Sequence, residues 1–127
     1  MEGITMVANS PQTRKAKGRE FQQKIAAKIR EVFNLPDPDA VSTSMGQAGI
    51  DIQLSSEARK MFPYAVECKK AETMKIWEWL SQAEENGKKT GLTPLLVFSR
   101  SRSKTYAVVD IDHLMNLAKI ASDRREE

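Results

Sequence analysis

One cysteine and one histidine occur among the 127 residues, and each scarcity excludes a class. Cys68 alone cannot close an internal disulfide, so the chain is not a disulfide-stapled secreted domain, and a small core residue in a reducing cytoplasm is expected instead. With only His113 besides, no Cys/His set has the spacing of a structural zinc site. His113, close behind Asp110 and Asp112, reads as a helix-surface residue rather than a catalytic base. Signal-peptide and membrane-spanning runs are missing, as are internal repeats. No excess of one charge dominates: the net charge is +3, which permits a polyanionic partner without demanding one. What remains is a chain 40% hydrophobic and 29% charged, long enough for one domain with a single core.

The informative stretch runs from Gly49 to Lys70. G-I-D-I-Q-L is followed by a polar bend and then F-P-Y-A-V-E-C-K-K. Both runs alternate as half-buried strands do. Ile50, Ile52 and Leu54 share one face of the first, opposite Asp51 and Gln53. In the second, Tyr64, Val66 and Cys68 oppose Ala65, Glu67 and Lys69, so Glu67 and Lys69 project together. If the two strands are neighbours, Asp51 joins them. A D…ExK pattern in an arbitrary sequence is more often a solvated ion pair, but here each charge interrupts a run apolar enough for the core, where unpaired charge is costly. Two carboxylates and an ammonium suit a hard divalent cation such as Mg²⁺ held between Asp51 and Glu67, with Lys69 orienting a water and offsetting charge on a phosphoryl group.

Around this centre the pattern predicts an α/β fold, a mixed central sheet flanked by helices. Residues 1–16 are expected to be a flexible arm, 17–120 the domain, and 121–127 a charged tail. A first helix is expected over Gly18–Phe33, with Phe21, Ile25, Ile29 and Val32 inward and Asn34 ending it. A short strand at Ala40-Val41 leads to a small, polar loop over Ser42–Gly49, and the Ser55–Lys60 portion suits one helical turn. A second helix over Thr73–Asn86 should stop at Gly87, with Ile76, Trp79, Leu80 and Ala83 inward, Gln82 at the margin, and both tryptophans packed. It can serve as the crossover that sets the Thr93–Ser99 strand parallel to the Glu67 strand. A hairpin to Thr105–Val109 and a closing helix over Ile111–Ile120 complete the chain. Basic groups at Lys17, Arg19, Lys70, Arg100, Arg102 and Lys104 are candidates for contacting nucleic-acid phosphates.

Taken together, G-I-D at Gly49–Asp51, V-E-C-K at Val66–Lys69, K-G-R at Lys17–Arg19, S-x-x-x-G before the G-I-D, W-x-x-x-S-Q-A-E at Trp77–Glu84 and T-P-L-L-V-F-S-R at Thr93–Arg100 resemble the PD-(D/E)xK nuclease superfamily. The nearest likeness is to small phage-borne nucleases of the Holliday junction resolvase type, over residues 17–118. The resemblance implies a restriction-endonuclease-like α/β/α core and metal-dependent hydrolysis of DNA, duplex or branched, with Mg²⁺ or Mn²⁺. It makes Asp51, Glu67 and the Cys68 carbonyl metal ligands and Lys69 the water-positioning cation, all three side chains being catalytic. Cellular resolvases carry a glutamate on the first helix; here that position holds Gln22, with Glu20 nearby in a different helical phase. Ser44 matches a hydroxyl residue in the mobile loop, and Gln82 is a further supporting candidate. Cutting a branched junction twice favours a twofold homodimer. A protein of this type works in the cytoplasm of a bacterial host, without membrane attachment. A nuclease-like DNA-binding module without cleavage is the competing reading.

Overall fold

The computed structural model describes residues 11–43 and 50–126. Helix α1 spans Pro11–Phe33, followed by strands β1, Ala40–Ser42, and β2, Ile52–Leu54. Helix α2 covers Ser56–Met61 and strand β3 Tyr64–Lys70. Helix α3, Ile76–Thr90, crosses to β4, Thr93–Ser99. A hairpin to β5, Tyr106–Val108, leads into α4, Ile111–Glu126. The α/β class expected from the pattern is the observed one.

The strands form two sheets rather than one. β1 and β2 pair antiparallel, Ala40 opposite Leu54 and Ser42 opposite Ile52. β3 and β4 pair in parallel through the α3 crossover, as expected, with Glu67 opposite Leu96 and Lys70 opposite Ser99. β5 closes the second sheet antiparallel to β4. β2 and β3 therefore share no ladder; they approach edge to edge with the Asp51 side chain between them.

α1 begins at Pro11, not Gly18, so residues 11–16, placed by the pattern in the arm, are helical. Proline is pre-organised for a first helical turn, and the Thr-Arg-Lys-Ala-Lys that follows is mostly strong helix former. Asn34 ends the helix as expected, in the left-handed region at φ 54°. The Leu35 N–H donates to the Arg30 carbonyl at 2.8 Å and the Asn34 N–H to Glu31 at 3.4 Å, the paired bonds of a Schellman stop. The inward stripe is Phe21, Ile25, Ala26 and Ile29, with half-buried Phe33 continuing it against Phe62. Val32, expected inward, is exposed because the stripe advances by four and Phe33 occupies the next place. Each of the large members contributes about 1.5–3 kcal/mol by leaving water. With Ala40, Ile52, Leu54, Ala58, Val66, Cys68 and Val97 they form one core between α1 and the sheets.

α3 runs through Gly87 and stops at Gly91, where φ is 74° and the N–H donates to the Gly87 carbonyl at 2.8 Å. Gly87 serves close approach instead: a Cβ there would lie 2.7 Å from Pro94 Cγ on β4. Trp79 is buried, as expected, but Trp77 is 81% exposed. Residues two apart on a helix project about 200° apart, so both cannot face one sheet. α4 continues to Glu126 past the expected end, with Lys119 and Asp123 paired at 3.0 Å one turn apart. None of its side chains is buried. His113 clasps it to the body, its Nε2 2.6 Å from the Tyr64 hydroxyl.

Candidate active site

Glu67 and Lys69 project from one face of β3, toward α3, Glu67 from mid-strand and Lys69 near the carboxyl end. Glu67 is 5% exposed. Its Oε2 pairs with Lys69 Nζ at 3.2 Å, and its Oε1 accepts from Asn86 Nδ2 at 3.1 Å. Asp51 arrives from the other sheet, at the bend that enters β2. Its Oδ2 accepts the Cys68 N–H at 2.7 Å. The Asp51 carbonyl is itself fixed by the Thr43 N–H at 2.9 Å, while Thr43 Oγ1 donates to the Ile50 carbonyl at 2.8 Å.

The bond to Cys68 decides the layout. β4 occupies one edge of β3, so an N–H that reaches Asp51 must leave by the opposite edge. The N–H and C=O of one strand residue point to the same edge, so the Cys68 carbonyl faces the Asp51 side too. Asp51 and the Cys68 carbonyl thus lie on one edge of β3, with Asp51 near enough to Glu67 for its charge to act there and Lys69 paired to Glu67.

Electrostatics sharpen the picture. Burial raises the Asp51 carboxyl above its ordinary range, against the pull of the Cys68 N–H and the Lys69 charge. Burial raises Glu67 likewise, and the Asp51 charge raises it further, opposed by Lys69 and by the Asn86 amide. The Cys68 thiol is pushed well up, by burial first and then by the two carboxylates, so it stays a neutral core group. Among the described residues no three His, Cys, Asp or Glu side chains converge as a ready-made cage. Two carboxylates with one carbonyl form an oxygen-only set, the kind of donor Mg²⁺ takes. The mutual repulsion of Asp51 and Glu67 is what a cation between them would relieve.

A family model described as "Phage putative PDDEXK endonuclease" matches residues 13–125. The chain belongs to that family. No curated protein and no solved structure matches it. The matched range takes in Asp51, Glu67 and Lys69.

Other expected site residues are distributed more widely. Gln22 is buried on α1, while Glu20 is exposed on the same helix. Gln82 is exposed on α3. Ser44 lies outside the described residues. Of the basic groups, Lys17, Lys70 and Arg102 line one cleft. Arg100 turns toward a neighbouring hollow with Glu72, Lys104 lines a third groove, and Arg19 is exposed on α1. Two residues escaped the sequence reading. Asn86 carries a legible signal, a polar residue in step with Trp79 and Ala83 on the buried stripe of α3. Thr43 carries none, because its partners, Ile50 and Asp51, are distant in sequence.

Proposed function

We propose that this protein is a divalent-metal-dependent DNA endonuclease that hydrolyses phosphodiester bonds at Asp51, Glu67 and Lys69. The observation that carries the reading is the Asp51 bond to the Cys68 N–H, which brings the first acid to the strand that bears the second acid and the lysine. Asp51, Glu67 and the Cys68 carbonyl would hold Mg²⁺ or Mn²⁺. When bound, such an ion supplies Lewis-acid polarisation of a phosphoryl oxygen and a more acidic water. Lys69 Nζ, a donor with no lone pair while charged, hydrogen-bonds the attacking water or a phosphoryl oxygen and offsets the charge that builds on phosphorus. Asn86 holds the Glu67 carboxylate, and the Cys68 N–H holds that of Asp51.

The test is cleavage of plasmid and branched DNA with Mg²⁺, with Mn²⁺ and with chelator, for the wild type and Asp51→Asn. The amide retains the acceptor for Cys68 but loses the charge. Cleavage by wild type that chelator abolishes, and that Asp51→Asn lacks while still binding DNA, is the expected result. Wild-type rates from the variant would remove Asp51 from the site, and DNA binding without cleavage by the wild type would select the binding-module reading.

Selectivity for branched DNA as a homodimer draws support from α4. Ile111, Leu114, Met115, Leu117 and Ile120 are exposed along it. Asp110 and Asp112 stand at its start, Arg124 and Arg125 at its end. A second copy packed antiparallel across a twofold axis covers the apolar residues and sets each acidic end against a basic one.

A further inference from the structure

On the opposite face of β3 from Glu67 and Lys69 lies a cleft of about 400 Å³ between the first half of α1 and the β4–β5 turn. Four cations line it: Lys17 and Lys24 from α1, Lys70 from β3 and Arg102 from the turn. One carboxylate, that of Glu20, lines it as well. One of these cations, Lys70, and the turn that carries Arg102 are held in place. Lys70 Nζ rides over the Phe21 ring at 5.9 Å and reaches the Arg100 carbonyl at 3.4 Å. Arg102 sits at φ 63°, in a turn whose ends Ser103 ties together by accepting the Arg100 N–H at 2.9 Å.

The floor carries the second observation. Ser99 is 4% exposed and lines this cleft. Its Oγ has no hydrogen-bond partner among the described residues. A buried hydroxyl without a partner is costly to the fold, and this one belongs to a residue that lines the same cleft as the four cations. An anion with acceptor oxygens satisfies both the hydroxyl and the charges.

We propose that this cleft binds a backbone phosphate of the DNA strand being cut, next to the scissile one. The assignment to DNA rests on the endonuclease reading. Lys69 and Lys70 are successive residues of one strand and project to opposite faces. A DNA strand that passes round the carboxyl end of β3 meets Lys69 and the acidic pair on one side and Lys70, Ser99 and Arg102 on the other. The cleft then fixes where along the strand the cut falls, because one phosphate is seated while its neighbour reacts.

Binding is read in chelator, where cleavage does not intrude, by the anisotropy of a labelled duplex with the full chain. Ser99→Ala should bind about tenfold more weakly, with an unchanged salt slope and a melting temperature equal to or above wild type. Lys24→Ala with Arg102→Ala should flatten the slope of log K against log salt by about 1.8, two contacts at about 0.9 each. In a series of duplexes bearing one neutral methylphosphonate each, one position should weaken the wild type and leave Ser99→Ala no weaker than before. Wild-type affinity in Ser99→Ala, an unchanged slope in the double variant, or the absence of any position coupled to Ser99 would each overturn the proposal. Should Ser99→Ala fail to fold, the exposed Lys24 and Arg102 carry the test through the slope. If the wild type fails to cleave with Mg²⁺ or Mn²⁺ while these binding effects hold, the endonuclease reading falls and the cleft stands.

Discussion

Replacing Asn86 by alanine isolates what α3 contributes to the acidic pair. The amide donates to a carboxylate, and both residues are 5% exposed, so water cannot take its place. A hydrogen bond to a charged group contributes about 1.5–3 kcal/mol. Alanine returns about 0.6 kcal/mol as the better helix former. The net loss is about 1–2.5 kcal/mol, or roughly 4–10 °C in melting temperature for a domain of this size. The effect depends on pH with a definite sign. Burial already holds the Glu67 carboxyl above its ordinary range, and the Asn86 amide pulls it down. Without the amide the folded carboxyl rises further while the unfolded chain titrates as before. The deficit is therefore full at pH values above the raised carboxyl and shrinks as pH falls through it. Thermal melts of both proteins in chelator, at neutral pH and again in the acid range, measure this directly. Melting temperatures within about 1 °C of each other at neutral pH would refute the claim that the amide holds Glu67.

Asp51→Asn, which should end cleavage, should also raise the melting temperature in chelator at neutral pH, by about 4 °C if the gain is about 1 kcal/mol; a lower value would contradict the repulsion between Asp51 and Glu67. Burial of both carboxyls, with the Asp51 charge added at Glu67, makes the metal-free wild type lose stability as pH rises from the ordinary carboxylate range through the raised one, their contribution being fully present below the ordinary range. Gly87→Ala forces Pro94 or the helix to shift, at about 1–3 kcal/mol against about 1 kcal/mol of helix propensity gained. A net fall in melting temperature is expected, and an unchanged or higher one would show that β4 yields freely. Met115→Glu with Leu114→Glu should convert a dimer to a monomer in sedimentation velocity without lowering the melting temperature of the monomer; a wild type monomeric at all concentrations tested would remove the α4 interface.

The meeting of Asp51 with Glu67 and Lys69 was legible because strand alternation is a local signal and all three residues interrupt apolar runs. How they meet was not. β2 has only three residues in its ladder, too few to announce a partner, and it chose β1 while a single side chain bridged to β3. Glycine misled at Gly87 because one residue type serves both stops and close approaches, and only the tertiary fold brings Pro94 against it. The tryptophans shared one helix but not one face. The basic turn looked like a unit in sequence, yet its three cations line three different hollows, since a turn fans its side chains outward.

The seam between the two sheets gives the protein a weak link of a particular kind. Asp51 belongs to a two-stranded ribbon and Glu67 to a three-stranded sheet, and no ladder joins them. The ribbon docks through its apolar side, since Ala40, Ile52 and Leu54 belong to the one core, and the Asp51 bond to the Cys68 N–H spans the seam. The meeting of the acidic pair is thus a property of docking. The Cys68 amide proton, held by Asp51 alone on that edge, is the natural reporter: its exchange with solvent counts the openings. Any ligand that spans the seam slows that exchange in proportion to its own affinity, so the proposed substrate and ion would act on this fold as the missing rung between its two sheets.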